Sequence, residues 1–214
     1  MLVNGERHYL NIHFTAEDLL RSRLLGQPDP LWEVVLSLST LRSASPPARD
    51  RTWWQRARRE IVQHRGVSDA VHSLGMLVPP RGDFPDFLTP AEAPMTGAST
   101  IKEAAEHIRA VPRSRMRLDI RQMRGGERRA ASLLSTVDSP GYQNVVADQV
   151  ETYFRFLLSP IWDNVGDEIR RDQGTRTTQT VSGGIENLLA GLPAPLQWSW
   201  PTLRPPTQST ATCY

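Results

Sequence analysis

Residues 13–42 read HFTAEDLLRSRLLGQPDPLWEVVLSLSTLR, and the reading of this stretch decides the fold. Thr15 followed three residues later by Asp18 opens a short helix, because the hydroxyl can accept a free N–H of the first turn. Gly26, Gln27 and Pro28 break it. Asp29 then caps a second helix that Pro30 enters as first residue, where its missing N–H costs nothing. In that helix Leu31, Val34, Val35, Leu38 and Leu41 recur at i, i+3, i+4, i+7 and i+10, which gathers them into one apolar stripe. The spacing predicts a helix over 29–42 that serves as a packing centre.

Working outward, residues 1–14 alternate weakly, with Tyr9, Ile12 and Phe14 among polar neighbours, and predict a short β-like segment. The Pro- and Ser-rich SASPPARD at 43–50 is a surface loop ending on Asp50 as a candidate cap. Trp53, Trp54, Ala57 and Ile61 share one side of the next helical pattern, with arginines opposite. A helix from Ser68 to about Leu77 is stopped by Pro79 and Pro80. GDFPDFLTP at 82–90 holds too many prolines for a regular element and too many aromatics for a wet one, which predicts a loop pinned by Phe84, Phe87 and Leu88.

Thr100 and Glu103 form a second capping box before a helix that ends at Pro112. Val145, Val146, Val150, Tyr153, Phe154, Leu157 and Leu158 make the longest apolar stripe, up to Ser159-Pro160. Pro160 opens a further helix through Trp162, Val165 and Ile169, with a bend expected near Gly174 and a last apolar run to Leu189. The expected fold is mainly α: a helical domain of six to eight helices with a short N-terminal β-like segment, spanning 1–203, and a patternless tail at 204–214 expected to be disordered.

The 214 residues suffice for one sizeable core, and a net charge of only +2 gives no strong argument for nucleic acid or an anionic surface. The basic residues are 24 arginines and the single Lys102. Cys213 is the one cysteine, so neither an intrachain disulfide nor a thiolate metal site can form. The N-terminus lacks the apolar run of a signal peptide, and no window approaches the roughly 18 apolar residues that span a bilayer. A cytoplasmic protein without membrane contact is the expectation.

Three stretches, taken in order, resemble one family. HFTAEDL with PDPLWE, the FPDFLTP loop and the final APLQWSWPTL are similar to the helical N-terminal domain of bacterial ArsR-type winged-helix transcriptional regulators. The resemblance covers most of residues 10–203. It implies a domain that dimerises, senses an effector and governs a DNA-binding half. In that family a β-rich segment and a winged helix-turn-helix follow, whereas RPPTQSTATCY has no such pattern. A truncated or frame-shifted regulator, pairing with full-length copies, is the alternative it leaves.

The five histidines lack any HxxxH or HExxH frame, and the glycine pairs lack a phosphate-loop lysine, so neither metal nor cofactor is expected. Ser99 and Lys102 match S-x-x-K without its partner motifs, and Asp83 with Asp86 suits a turn, so no catalysis is expected, with a hydrolase as the remote alternative. Between 113 and 129 seven arginines face two acids, making Arg113, Arg115, Arg117, Arg121 and Arg124 the candidate phosphate contacts, should DNA be a partner. Trp32, Trp53, Trp54, Phe84 and Phe87 are the candidate lining of a pocket for a small apolar effector.

Overall fold

The computed structural model describes residues 11–44, 46–79, 83–89, 100–123, 127–194 and 196–204. Within these residues the protein is mainly α. In chain order come β1 (Ile12–His13), α1 (Ala16–Arg21), α2 (Pro30–Leu41), α3 (Arg51–Gln63), α4 (Arg65–Leu77), α5 (Ile101–Ala110), α6 (Arg113–Gln122), α7 (Glu127–Val137), α8 (Tyr142–Tyr153), α9 (Trp162–Ala190), β2 (Gln197–Ser199) and β3 (Thr202–Arg204). Two compact units result: Gln27–Asp167, and the described residues up to Gly26 together with those from Glu168 on. The tail expected at 204–214 begins later than Arg204, which is paired in β3; residues 205–214, like Tyr9, lie outside the described residues.

The first unit is built on α2. Its cap forms as expected, with Asp29 Oδ1 accepting the N–H groups of Leu31 at 2.8 Å and Trp32 at 3.1 Å. Leu31, Val34, Val35, Leu38 and Leu41 are all buried, so the predicted stripe is the inward face. Burying each such side chain contributes on the order of 1.5–3 kcal/mol. Around this face pack α3, α5 and the chain after α8, while α8 itself lies against α4 and α5. Asp50 stands at the N-cap of α3 without a side-chain cap bond, and α4 starts three residues earlier than the Ser68 expected. Thr100 and Glu103 make both bonds of their capping box.

The α8 stripe continues through a π-helical turn, Phe154–Leu158, and a 3-10 turn, Ser159–Ile161. Pro160 has no N–H to give the ladder, and the Ser159 N–H reaches back five residues to the Phe154 carbonyl. Trp53 and Trp54 are tied to backbone here: their indole N–H groups donate to Leu157 O at 2.7 Å and Leu41 O at 3.2 Å.

In the second unit β1, β3 and β2 form an antiparallel sheet in that order, with Ile12 opposite Leu203 and Trp198 also opposite Leu203. Phe14 meets Trp198 edge-on at 5.8 Å. The Thr15–Asp18 capping box on α1 is complete. The bend expected at Gly174 occurs elsewhere: Gly174 is helical, and α9 is interrupted at Gly183 and Gly184, where Gly184 has φ of 72°. Only a residue without a Cβ enters that region at little cost. Among the described residues no helix is long and apolar enough to cross a membrane.

Candidate functional site

Within the Gln27–Asp167 unit, α4, α7 and α8 leave a cavity of about 270 Å³. Its floor is apolar and its rim mostly polar, with Pro140 and Val145 also exposed there. Leu74 and Leu77 from α4, Leu133 from α7, and Tyr142 with Val146 from α8 are the buried lining residues. His72, Ser73, Ser132, Thr136 and Ser139 are exposed around the mouth. No Arg, Lys, Asp or Glu lines it. The local sequence explains this shape. Asp138-Ser139-Pro140-Gly141 turns the chain between α7 and α8, with Gly141 at φ of 75°, and both helices contribute to the lining.

Two of the lining residues carry a polar end that makes no hydrogen bond among the described residues. Tyr142 is 8% exposed and its hydroxyl makes no hydrogen bond among the described residues; burial alone pushes its ionisation up to about 12. Tyr153, further along α8, is the contrast: its hydroxyl pairs with Ser37 Oγ at 3.0 Å. Gln149 lines the cavity, and its Oε1 is sealed from solvent with no hydrogen-bond partner. Tyr142 and Gln149 are seven residues apart on α8, with Val145 and Val146 between them on the same face.

The five aromatics expected to form a pocket fall in other places. Trp32, exposed, meets Phe84 edge-on at 6.0 Å. Phe87 is buried in the core, its N–H bonded to Asp119 Oδ2 at 2.9 Å. Trp53 and Trp54 pack against the core from α3, with the Arg58 guanidinium 4.6 Å above the Trp54 ring. None of these five lines the cavity.

Of the arginines, Arg115 pairs with Asp119 at 2.8 Å and Arg117 pairs with Asp138. Arg113 reaches the Asp138 carbonyl at 3.4 Å, and Arg121 is exposed. Arg124 and Ser99 lie outside the described residues. Asp83 and Asp86 do not line the cavity; the Asp83 carbonyl accepts Arg129 at 3.1 Å. Among the described residues no three His, Cys, Asp or Glu side chains gather as metal ligands.

Sequence reasoning singled out neither Tyr142 nor Gln149. A signal existed: they stand at the i and i+7 positions of a stripe with Val145 and Val146 between them, although Val145, expected to be buried with that stripe, is 49% exposed. No protein-family model, curated protein or solved structure matches this chain.

Proposed function

We propose that the chain is a non-catalytic sensing domain, of the kind its ArsR-type resemblance implies, in which the cavity between α4, α7 and α8 holds a small apolar effector and the domain dimerises in the cytoplasm. The observation that carries this reading is the cavity itself: an apolar floor under a mostly polar rim, at about 270 Å³ near the lower end of small-molecule sites. A ligand seated there touches α4, α7 and α8 at once. Since α7 also packs on α6, occupancy that shifts α7 is passed to the arginine-bearing helix. DNA contact through the arginines of α6 is the weaker reading, because Arg115 and Arg117 are already neutralised by acids. An interaction protein that pairs with a longer regulator remains the alternative role of the same domain.

The test is binding of a fluorescent naphthalene probe to the purified protein and to Ser132→Trp, a rim substitution at an exposed position that fills the mouth while leaving the core untouched. Sedimentation velocity, run with and without probe, reads the assembly state. Saturable binding that Ser132→Trp abolishes, together with a change in assembly, supports the reading. Equal binding by both proteins removes the cavity from it.

A further inference from the structure

We infer that the cavity ligand is a neutral molecule of one or two rings that carries a hydrogen-bond donor, received by Gln149. The inference rests on the sensing reading above and narrows its ligand to a chemical class. Size sets the first limit: a dry cavity of about 150 Å³ takes a benzene ring, and drug-sized sites begin near about 300 Å³. A cavity of about 270 Å³ therefore suits a fused bicycle. Charge sets the second. With no Arg, Lys, Asp or Glu in the lining, an ion would enter an apolar floor without a counter-charge.

Polarity sets the third. Gln149 Oε1 is a hydrogen-bond acceptor enclosed by protein and left without a donor, in a residue that lines the cavity. Oε1 is sealed as it stands, so the ligand has to draw it into the cavity by a turn of the terminal torsion, which is broad in glutamine. An N–H or O–H on the ligand then supplies the acceptor with a partner, an ordinary neutral hydrogen bond. Tyr142, two helical turns earlier and also without a partner, offers a hydroxyl to a second polar atom of the ligand. An indole, naphthol or anilide has this form, whereas a plain hydrocarbon leaves Gln149 as it stands.

The experiment compares indole with benzofuran, which keeps the fused rings and puts an ether oxygen where indole has its N–H donor, using calorimetric titration of the full chain and of Gln149→Leu. Leucine keeps the bulk of glutamine and removes both polar ends, so the variant should fold at least as stably. Indole should bind the natural protein about fivefold or more tighter than benzofuran, the size of one neutral hydrogen bond, and Gln149→Leu should bind both alike. Equal binding of the two by the natural protein overturns the donor assignment and leaves the cavity as a ligand site. A preference that survives in Gln149→Leu overturns the role of Gln149. Failure of both probes to bind, at concentrations up to their solubility, overturns the sensing reading itself.

Discussion

The backbone N–H of Phe87 donates to Asp119 Oδ2 at 2.9 Å, and by this bond a buried carboxylate on α6 holds the Phe84–Leu88 loop against the core. Arg115, one helical turn back, lies 2.8 Å from the other oxygen. Phe87 and Leu88 are then buried, as the sequence of the loop requires if its aromatics are to leave water.

Asp119→Ala should destabilise the protein by about 1–3 kcal/mol, since it strands a buried N–H, and Asp119→Asn should cost less because the amide oxygen can still accept. Burial holds the Asp119 carboxyl above its ordinary range, opposed by Arg115 and by the Phe87 N–H. A carboxyl raised on folding adds stability below its unfolded value and loses it as pH rises through its folded value. The stability of the natural protein relative to Asp119→Asn should therefore fall as pH rises through the acid range above about 4. Urea unfolding at a series of pH values reads both effects.

Leu38 and Leu36 sit two residues apart on α2, one wholly buried and the other 53% exposed. Leu38→Ala should cost about 2–5 kcal/mol and Leu36→Ala less than about 0.5 kcal/mol. Equal midpoints for the two variants in denaturant would place the stripe on the wrong face.

Two buried tyrosines on α8 should behave differently when the hydroxyl is removed. Tyr153→Phe loses the bond to Ser37 and should cost about 1 kcal/mol, whereas Tyr142→Phe loses nothing and should be close to neutral at pH 7. In alkali the sign follows from Tyr142 being pushed up to about 12 by burial, against about 10 when unfolded. Its contribution is whole below pH 10 and is lost as pH rises through about 12. Tyr142→Phe should thus resist alkaline unfolding better than the natural protein, as monitored by circular dichroism between pH 9 and 12.

Gly174, inside a helical run of α9, and Gly184, at its interruption, should respond in opposite ways to alanine. Gly174 is helical, exposed, and nothing lies within 4 Å of where a Cβ would stand, so Gly174→Ala should stabilise by about 0.5–1 kcal/mol. Gly184 has φ of 72°, and Gly184→Ala should cost about 1–2 kcal/mol. Thermal melts of the two variants provide the comparison.

What the sequence disclosed about this fold was local. The α2 stripe, the two capping boxes and the Asp29 cap each rest on residues within one or two turns of each other, so spacing alone predicts them. The break in α9 was expected at Gly174, because a glycine inside a helical pattern signals a bend only when its neighbours also give way. The pair Gly183-Gly184 provides that condition and Gly174 does not. The cavity was beyond such reasoning, since α4 and α8 meet across more than 60 residues of chain and spacing does not reveal which helices become neighbours. The aromatic residues drew attention through their size, yet Phe87 is spent on the core and both α3 tryptophans on backbone carbonyls.

A methyl-selective NMR titration with indole reads whether the space between α4, α7 and α8 takes up a ligand. The account predicts saturable shifts centred on the methyl groups of Leu77, Leu133, Val145 and Val146, which line that space. Shifts centred instead on the residues around Trp32 and Phe84, or no saturable shift at all, would contradict it.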